Sequence, residues 1–303
     1  MSIVKFYKEE HQVPLEMHKV RVVQLFLPNV EERVKNLTEA GNNTFLLQNR
    51  DVFMDMLTDS GVNAMSDRQV AASMIADDSY AGSETCNRLL KALQDVFGTK
   101  YFLPAHQGRA CENILAETFV KKGDVIPMNF HFTTTKAHIT RLGGRVEELI
   151  IEEGLDPDIL LPFKGNFDLE RLKKLIKEVG PEHIPFVRIE AGTNLVGGQP
   201  LSMENMLEVA EICKQNGIMS VLDASLLQDN LYFIKTREES AKNMSIKEIT
   251  RKISDAMDII YFSARKMGFS RGGAIVSNNE KLILKMKTLI PLYEGFLTYG
   301  GME

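Results

Sequence analysis

From about residue 120 onward, short apolar runs rich in β-branched and aromatic residues alternate with longer stretches whose apolar positions recur every three or four residues. The short runs are 124–130 (DVIPMNF), 145–151 (RVEELII), 185–191 (PFVRIEA), 220–225 (SVLDAS), 258–264 (DIIYFSA) and 272–278 (GGAIVSN), and each reads as a strand. Helical periodicity occupies 168–179, 203–215 and 245–257 between them. This alternation predicts an α/β fold with a mixed, mainly parallel sheet covered on both faces. The runs 258–264 and 272–278 lie too close for a helical crossover, which predicts a local antiparallel element or an irregular return. Upstream, 83–98 reads as an amphipathic helix with Ser83 as N-cap and Gly98 as stop. Residues 105–120 read as a loop entering a helix, and 38–47 (TEAGNNTFLL) as a turn feeding a strand. No Pro/Gly/Ser-rich linker separates two free domains.

With 303 residues, 44% of them hydrophobic, the chain can bury a large core as one domain or two. Its net charge of −5 argues against a nucleic-acid or acidic-membrane partner. Cys86, Cys111 and Cys213 are isolated, with no CxxC spacing, and read as core thiols of a cytoplasmic protein. The charged start is unlike a signal peptide, and no apolar run is long enough for a bilayer span. His106, His131 and His138 are not at zinc-ligand spacing.

In open α/β sheets ligands gather beyond the carboxyl ends of the strands. Four polar groups fall there. The string HQGRACEN places Gln107, Gly108 and Arg109 where a helix begins, combining a close-approach glycine, free N–H groups and a forked cation suited to phosphate. Asn194 follows the strand 185–191 and precedes the turn-forming pair Gly197–Gly198. Asp223 ends an apolar run, where it is either paired with a buried cation or ligand N–H, or held in a local Asx-turn. Lys266 follows the run 258–264, as either a snorkelling side chain or a nucleophile. Together they supply a phosphate site, an acid for a ring nitrogen and an amine for an aldehyde, the parts of a pyridoxal-phosphate site.

The chain resembles the aromatic amino-acid β-eliminating lyases, the family of tryptophanase and tyrosine phenol-lyase. The resemblance rests on TEAGNNTFLL, LTDSGVNAMSD, DDSYAGSE, HQGRACEN, FTTTKAH, KGNFDLERL, GGQPLSM, NLYFIKTRE and EGFLTYGGME, all in order. It implies the aspartate-aminotransferase fold, with 1–60 as an N-terminal arm and part of a small domain, and 61–303 as the cofactor-binding large domain. It implies that Gln107, Gly108, Arg109 and Ser263 bind the cofactor phosphate, with Arg265 beside it. Phe132 stacks on the ring, Asn194 lies near the ring hydroxyl, Asp223 meets the ring nitrogen and Lys266 forms the Schiff base. Tyr80 reaches a neighbouring subunit's site as acid for the leaving group, and Thr133 takes a catalytic position that leans toward tyrosine as substrate. Gly61 and Asp78 match positions that hold a monovalent cation such as K+.

Four departures accompany the resemblance. Leu226 stands where the family has an arginine, Arg265 where it has a lysine, and the loop after Lys266 is one residue shorter. Family members also continue past YGGME into a small domain that supplies a carboxylate-binding arginine. The implied function is pyridoxal-phosphate-dependent β-elimination of tyrosine or tryptophan to phenol or indole, pyruvate and ammonia, in a homo-oligomer or with a partner polypeptide carrying the C-terminal part. The competing readings are an inactive or partner subunit of a split lyase, and a related pyridoxal-phosphate enzyme acting on another amine.

Overall fold

Each of the six apolar runs marked as a strand after residue 120 lies in one seven-stranded sheet of the computed structural model, which describes residues 18–19, 28–48, 51–52, 65–77, 79, 82–266 and 271–294. The chain divides into two compact units, Met1–Ile75 and Ala76–Glu303. In the first, β1 (His18–Lys19) pairs antiparallel with β2 (Met65–Ser66), and the helices are α1 (Val30–Glu39) and α2 (Asp67–Ile75). Among the described residues the stretch 38–47 forms no strand. It closes α1 and makes a single 3-10 turn, Thr44–Leu46, because the Asn43 side chain accepts the Phe45 N–H at 3.0 Å. Local side-chain capping overrides the β-propensity of Thr44 and Phe45.

The second unit runs α3 (Glu84–Phe97), β3 (Tyr101–Ala105), α4 (Gly108–Phe119), β4 (Val125–Met128), α5 (Thr133–Arg141), β5 (Arg145–Glu148), α6 (Leu169–Val179), β6 (Phe186–Glu190), α7 (Met203–Gln215), β7 (Met219–Asp223), α8 (Leu227–Arg237), α9 (Ile246–Ala256), β8 (Ile259–Ser263), β9 (Gly273–Ser277), α10 (Glu280–Lys287) and α11 (Ile290–Tyr293). Sheet order is β3-β9-β8-β7-β6-β4-β5, and only β9 runs against its neighbours. The α3 caps are those read from sequence: Ser83 accepts the Cys86 N–H, and Gly98 takes the left-handed conformation. The strand missed by periodicity, β3, contains Pro104, which an edge strand tolerates because one side of it needs no ladder donor.

Two apolar layers cover the sheet. On one face Phe97, Leu172, Met206, Val209 and Ile253 of the helices pack with Val187, Ile189, Leu222, Ile260 and Phe262. On the other Ile114 of α4, Ile139 of α5 and Met286 of α10 pack with Phe186, Val221, Ile259, Tyr261 and Ile275. Strand alternation then fixes where the polar residues go. Arg188 and Glu190 alternate with Val187 and Ile189, Asp223 follows Leu222, and Ser263 follows Phe262, so all four share the α4 face with Tyr261. Among the described residues no helix is long and apolar enough to cross a membrane.

Candidate active site

The carboxyl ends of β6, β7 and β8 stand side by side. Glu190 pairs in register with Asp223, and Asp223 with Tyr261. All three are buried, as is Arg188 two residues before Glu190. Arg188 is 1% exposed and spends its planar fork on this cluster. Its Nε donates to the Tyr261 hydroxyl at 2.8 Å, Nη1 to Glu190 Oε2 at 3.2 Å and the Phe130 carbonyl at 3.4 Å, and Nη2 to Asp223 Oδ2 at 2.5 Å. The Tyr261 hydroxyl donates to the same Asp223 oxygen at 2.9 Å, and the Ser225 N–H donates to Asp223 Oδ1 at 3.0 Å. Asp223 is thus at once a buried partner of a cation and an Asx-turn acceptor.

Two further acids complete the cluster. Glu112 of α4 lies 3.5 Å from the Tyr261 hydroxyl and accepts from the hydroxyls of Thr134 at 2.5 Å and Thr135 at 2.7 Å. Burial pushes its carboxyl up, against the pull of Arg188. Burial likewise raises Glu190 to about 7, opposed by Arg188 and assisted by Asp223. For Arg188, burial disfavours the charge, but Tyr261, Glu190, Asp223 and Glu112 outweigh it and hold the guanidinium firmly protonated. Behind the acids, the fully buried Asn129 carboxamide donates to the carbonyls of Gly165 and Glu190 and to the Thr193 hydroxyl, and accepts the Glu190 N–H at 2.9 Å.

The start of α4 meets the end of β8. Gln107 is the N-cap but makes no side-chain cap bond; its Nε2 lies 2.7 Å from His106 Nε2. The first-turn N–H groups therefore keep the anion-binding character of a helix N-terminus. A Cβ on Gly108 would sit 3.0 Å from the Ser263 Cβ, and one on Gly273 would strike the Phe262 carbonyl at 2.7 Å and Gln107 at 2.8 Å. Glycine at both positions lets three backbone segments converge. His106 is tied down from outside: its N–H donates to Glu294 at 2.7 Å, and its Nδ1 lies 2.6 Å from the same carboxylate.

The sequence-nominated residues distribute as follows. Asp223, Ser263, Arg265, Lys266, Gln107 and Gly108 lie at neighbouring strand and helix ends, and the Ser263 N–H donates to Ser225 at 3.1 Å. Lys266 Nζ stands 5.1 Å over the centroid of the Phe132 ring, and the Lys266 carbonyl accepts from Gln228 at 3.2 Å. Phe132 and Thr133 open α5, with Thr133 exposed. Arg109 is exposed in the first turn of α4. Asn194 opens a 3-10 turn, and its N–H points at Glu190 Oε1 at 3.4 Å. Leu226 caps α8, with its Cβ 2.9 Å from where a Gly192 Cβ would be. Tyr80, Gly61 and Asp78 lie outside the described residues.

Sequence reasoning missed Arg188, Glu190, Glu112 and Tyr261. A signal existed for the first two. An arginine and a glutamate two apart in an otherwise apolar parallel strand must share one buried face, and so require partners.

A phosphorylated pyridine aldehyde needs N–H donors for phosphate, an acid for the ring nitrogen, a flat apolar face and an amine. The α4 N-terminus, Asp223, Phe132 and Lys266 supply that set. Of the Asp223 oxygens, Oδ2 carries two donors and Oδ1 one, which leaves Oδ1 acceptor capacity for a ring N–H.

Comparison with known proteins gives a consistent picture. The family model described as beta-eliminating lyase matches residues 55–300. The chain is similar to the tyrosine phenol-lyase of Pasteurella multocida (strain Pm70), 42% identical over 291 residues, covering 95% of this chain and 64% of the relative. The chain thus spans less than two thirds of that relative's length. Among solved structures, a protein of Exiguobacterium sp. 255-15 described as an aromatic amino acid beta-eliminating lyase/threonine aldolase superposes with a TM-score of 0.57 at 16% identity, covering 80% of this chain and 64% of that one. An SPT chain solved with PLP gives 0.52 at 16% identity, covering 76% and 53%. These likenesses establish a shared fold, that of the aminotransferase-type pyridoxal-phosphate enzymes.

Proposed function

Because this chain belongs to the beta-eliminating lyase family, we propose that it serves pyridoxal-phosphate-dependent β-elimination, in which an aromatic amino acid and water yield a phenol or indole, pyruvate and ammonia. The 42% identity to a tyrosine phenol-lyase makes tyrosine the first substrate to test. The observation that carries the reading is the juxtaposition at the sheet edge of Asp223, ending β7, with Lys266, three residues beyond β8 and over the Phe132 ring.

When bound, the cofactor supplies an electron sink for the carbanion left at Cα. The residues of this chain do the rest. The Gln107–Arg109 backbone and Ser263 hold phosphate, with Arg109 and Arg265 adding positive charge. Phe132 offers its flat face to the ring, and Asn194 lies on the side of the ring hydroxyl. Asp223 accepts from the ring nitrogen. Lys266 would hold the cofactor through its amine and would serve as the base for the Cα proton. Tyr80 delivers a proton to the departing aromatic ring, Thr133 contacts that ring's side of the site, and Gly61 with Asp78 binds a monovalent cation. Residues 61–303 form the cofactor-binding domain, with 1–60 contributing an arm and part of a second domain.

Borohydride reduction of the protein incubated with pyridoxal phosphate, followed by peptide mapping, tests the reading. A pyridoxyl group on Lys266 is expected, and Lys266→Ala should carry none. A wild-type protein that takes no label at Lys266 removes the proposal. Pyruvate release from tyrosine and from tryptophan then identifies the substrate.

A further inference from the structure

No role above uses the fully buried arginine of the sheet edge, Arg188, which pairs with two acids, Glu190 and Asp223, while a third, Glu112, lies close by. We infer that Arg188 is a positioning residue that fixes Asp223 as an oriented carboxylate and leaves the proton of the buried cluster to Glu190 and Glu112. The inference rests on the proposed role of Asp223 as partner of the cofactor's ring nitrogen.

The donor accounting carries it. Asp223 receives Arg188 Nη2 at 2.5 Å, the Tyr261 hydroxyl at 2.9 Å and the Ser225 N–H at 3.0 Å. Arg188 Nε donates to the Tyr261 oxygen and so turns that hydroxyl to donate to Asp223, which makes all three contacts donors, one of them cationic, and suits a carboxylate. Among the described residues the Glu190 carboxylate receives the longer Arg188 contact at 3.2 Å and the Asn194 N–H at 3.4 Å. Glu112 receives the Thr134 and Thr135 hydroxyls and lies 3.5 Å from that of Tyr261, groups that can accept as well as donate, and among the described residues it makes no ion pair. One guanidinium cannot neutralise three carboxylates in a buried site, so a proton is retained on the acids with the weaker donor sets. Burial raises Glu190 and Glu112, in agreement with that placement. Burial pushes the Tyr261 hydroxyl and the Cys111 thiol, the other titratable groups near Asp223 among the described residues, far up, so both keep their protons.

A fixed negative charge on Asp223 would favour a proton on the ring nitrogen it accepts from, because moving that proton to Asp223 would weaken the charge-assisted contact with Arg188. Arg188 also reaches the Phe130 carbonyl, two residues before Phe132, so the group that sets the charge of Asp223 is tied to the loop that presents the ring-facing aromatic.

The test has two arms. In the protein without cofactor, selectively 13C-labelled aspartate, with Asp223 assigned through Asp223→Asn, should show a carboxylate-type shift for Asp223 from pH 5 to 8. In Arg188→Gln that signal should move to the carboxylic-acid position, and Arg188→Lys should restore it in part. An Asp223 signal that titrates in wild type, or that is unmoved in Arg188→Gln, overturns the inference. Should Arg188→Gln not fold, Tyr261→Phe decides: it removes a donor and keeps the cation, so Asp223 must remain a carboxylate, and a protonated Asp223 there overturns the assignment to Arg188. In the second arm, 15N-labelled pyridoxal phosphate bound to the protein should show a protonated ring nitrogen in wild type and loss of that proton in Arg188→Gln; an unchanged 15N shift counts against the inference. If wild type binds no cofactor, the proposed function fails, and the 13C arm still decides the role of Arg188.

Discussion

The two ends of the same central strands place their charged groups in opposite ways, exposed at one and buried at the other. At the amino end, Asp258 precedes β8, and its Oδ2 accepts the N–H of Ser220 at 2.8 Å and the Ser220 hydroxyl at 3.1 Å. The Asp258 N–H returns to the Ser220 hydroxyl at 3.1 Å, and its carbonyl accepts from Ser277 at 2.6 Å. Among the described residues that cluster uses small groups on or beside three adjacent strands and no cation. At the carboxyl end, three acids, a tyrosine and one arginine are gathered from three strands and a helix, nearly all inaccessible to water. The first arrangement ties strands together and needs no more charge than it can hydrate or hydrogen-bond. The second concentrates charge where a core gains nothing from it, since a buried ion pair is weak as a source of stability. Charge kept at such cost marks the end of the sheet where chemistry is expected.

Breaking each end measures the contrast. The largest effect is expected for Arg188→Met, which strands the acids; loss of one partner from a buried pair costs about 3–5 kcal/mol, read as a fall in urea midpoint. Next is Glu190→Gln. A carboxyl raised from 4.5 to about 7 on folding holds its proton better in the native state, so its contribution to stability is complete below 4.5 and is lost as pH rises toward 7. The stability difference between variant and wild type should therefore shift in the variant's favour by about 3 kcal/mol across that window, and pH-dependent denaturation with no such shift would separate Glu190 from the buried proton. Asp258→Ala should cost about 2 kcal/mol by leaving the Ser220 N–H without its acceptor, with no change in cofactor labelling of Lys266. Smallest is Ser245→Ala, which removes the reciprocal Ser245–Glu248 capping box of α9 and should lower stability by about 1 kcal/mol in thermal unfolding.

Local signals told the truth where one segment could satisfy itself. The Ser83 cap and the Gly98 stop of α3 were legible because each acts within a turn of its own helix. So, as one of two alternatives, was the antiparallel return of β9 on β8, because the connection is too short for a crossover. The stretch 38–47 misled because Asn43 capping competes with strand propensity at the same residues. Helix α5 went unread because TTTKAHITR opens on three β-branched residues. At the candidate site, Asp223 and Lys266 stood out as polar groups terminating apolar runs. Glu112 and Tyr261 lay inside strings that drew notice for other residues.

By itself the sequence determined the alternation of strand and helix, the faces that must be buried and the polar groups that must fall at strand ends, because periodicity and capping are properties of contiguous residues. Only the tertiary structure decided that Arg188 reaches Asp223, Glu190 and Tyr261 at once, since that convergence depends on the order β8-β7-β6, with Asp223 standing 35 residues from Arg188 and Tyr261 standing 73. No local pattern encodes which strands become neighbours; the packing of two apolar layers on one twisted sheet does.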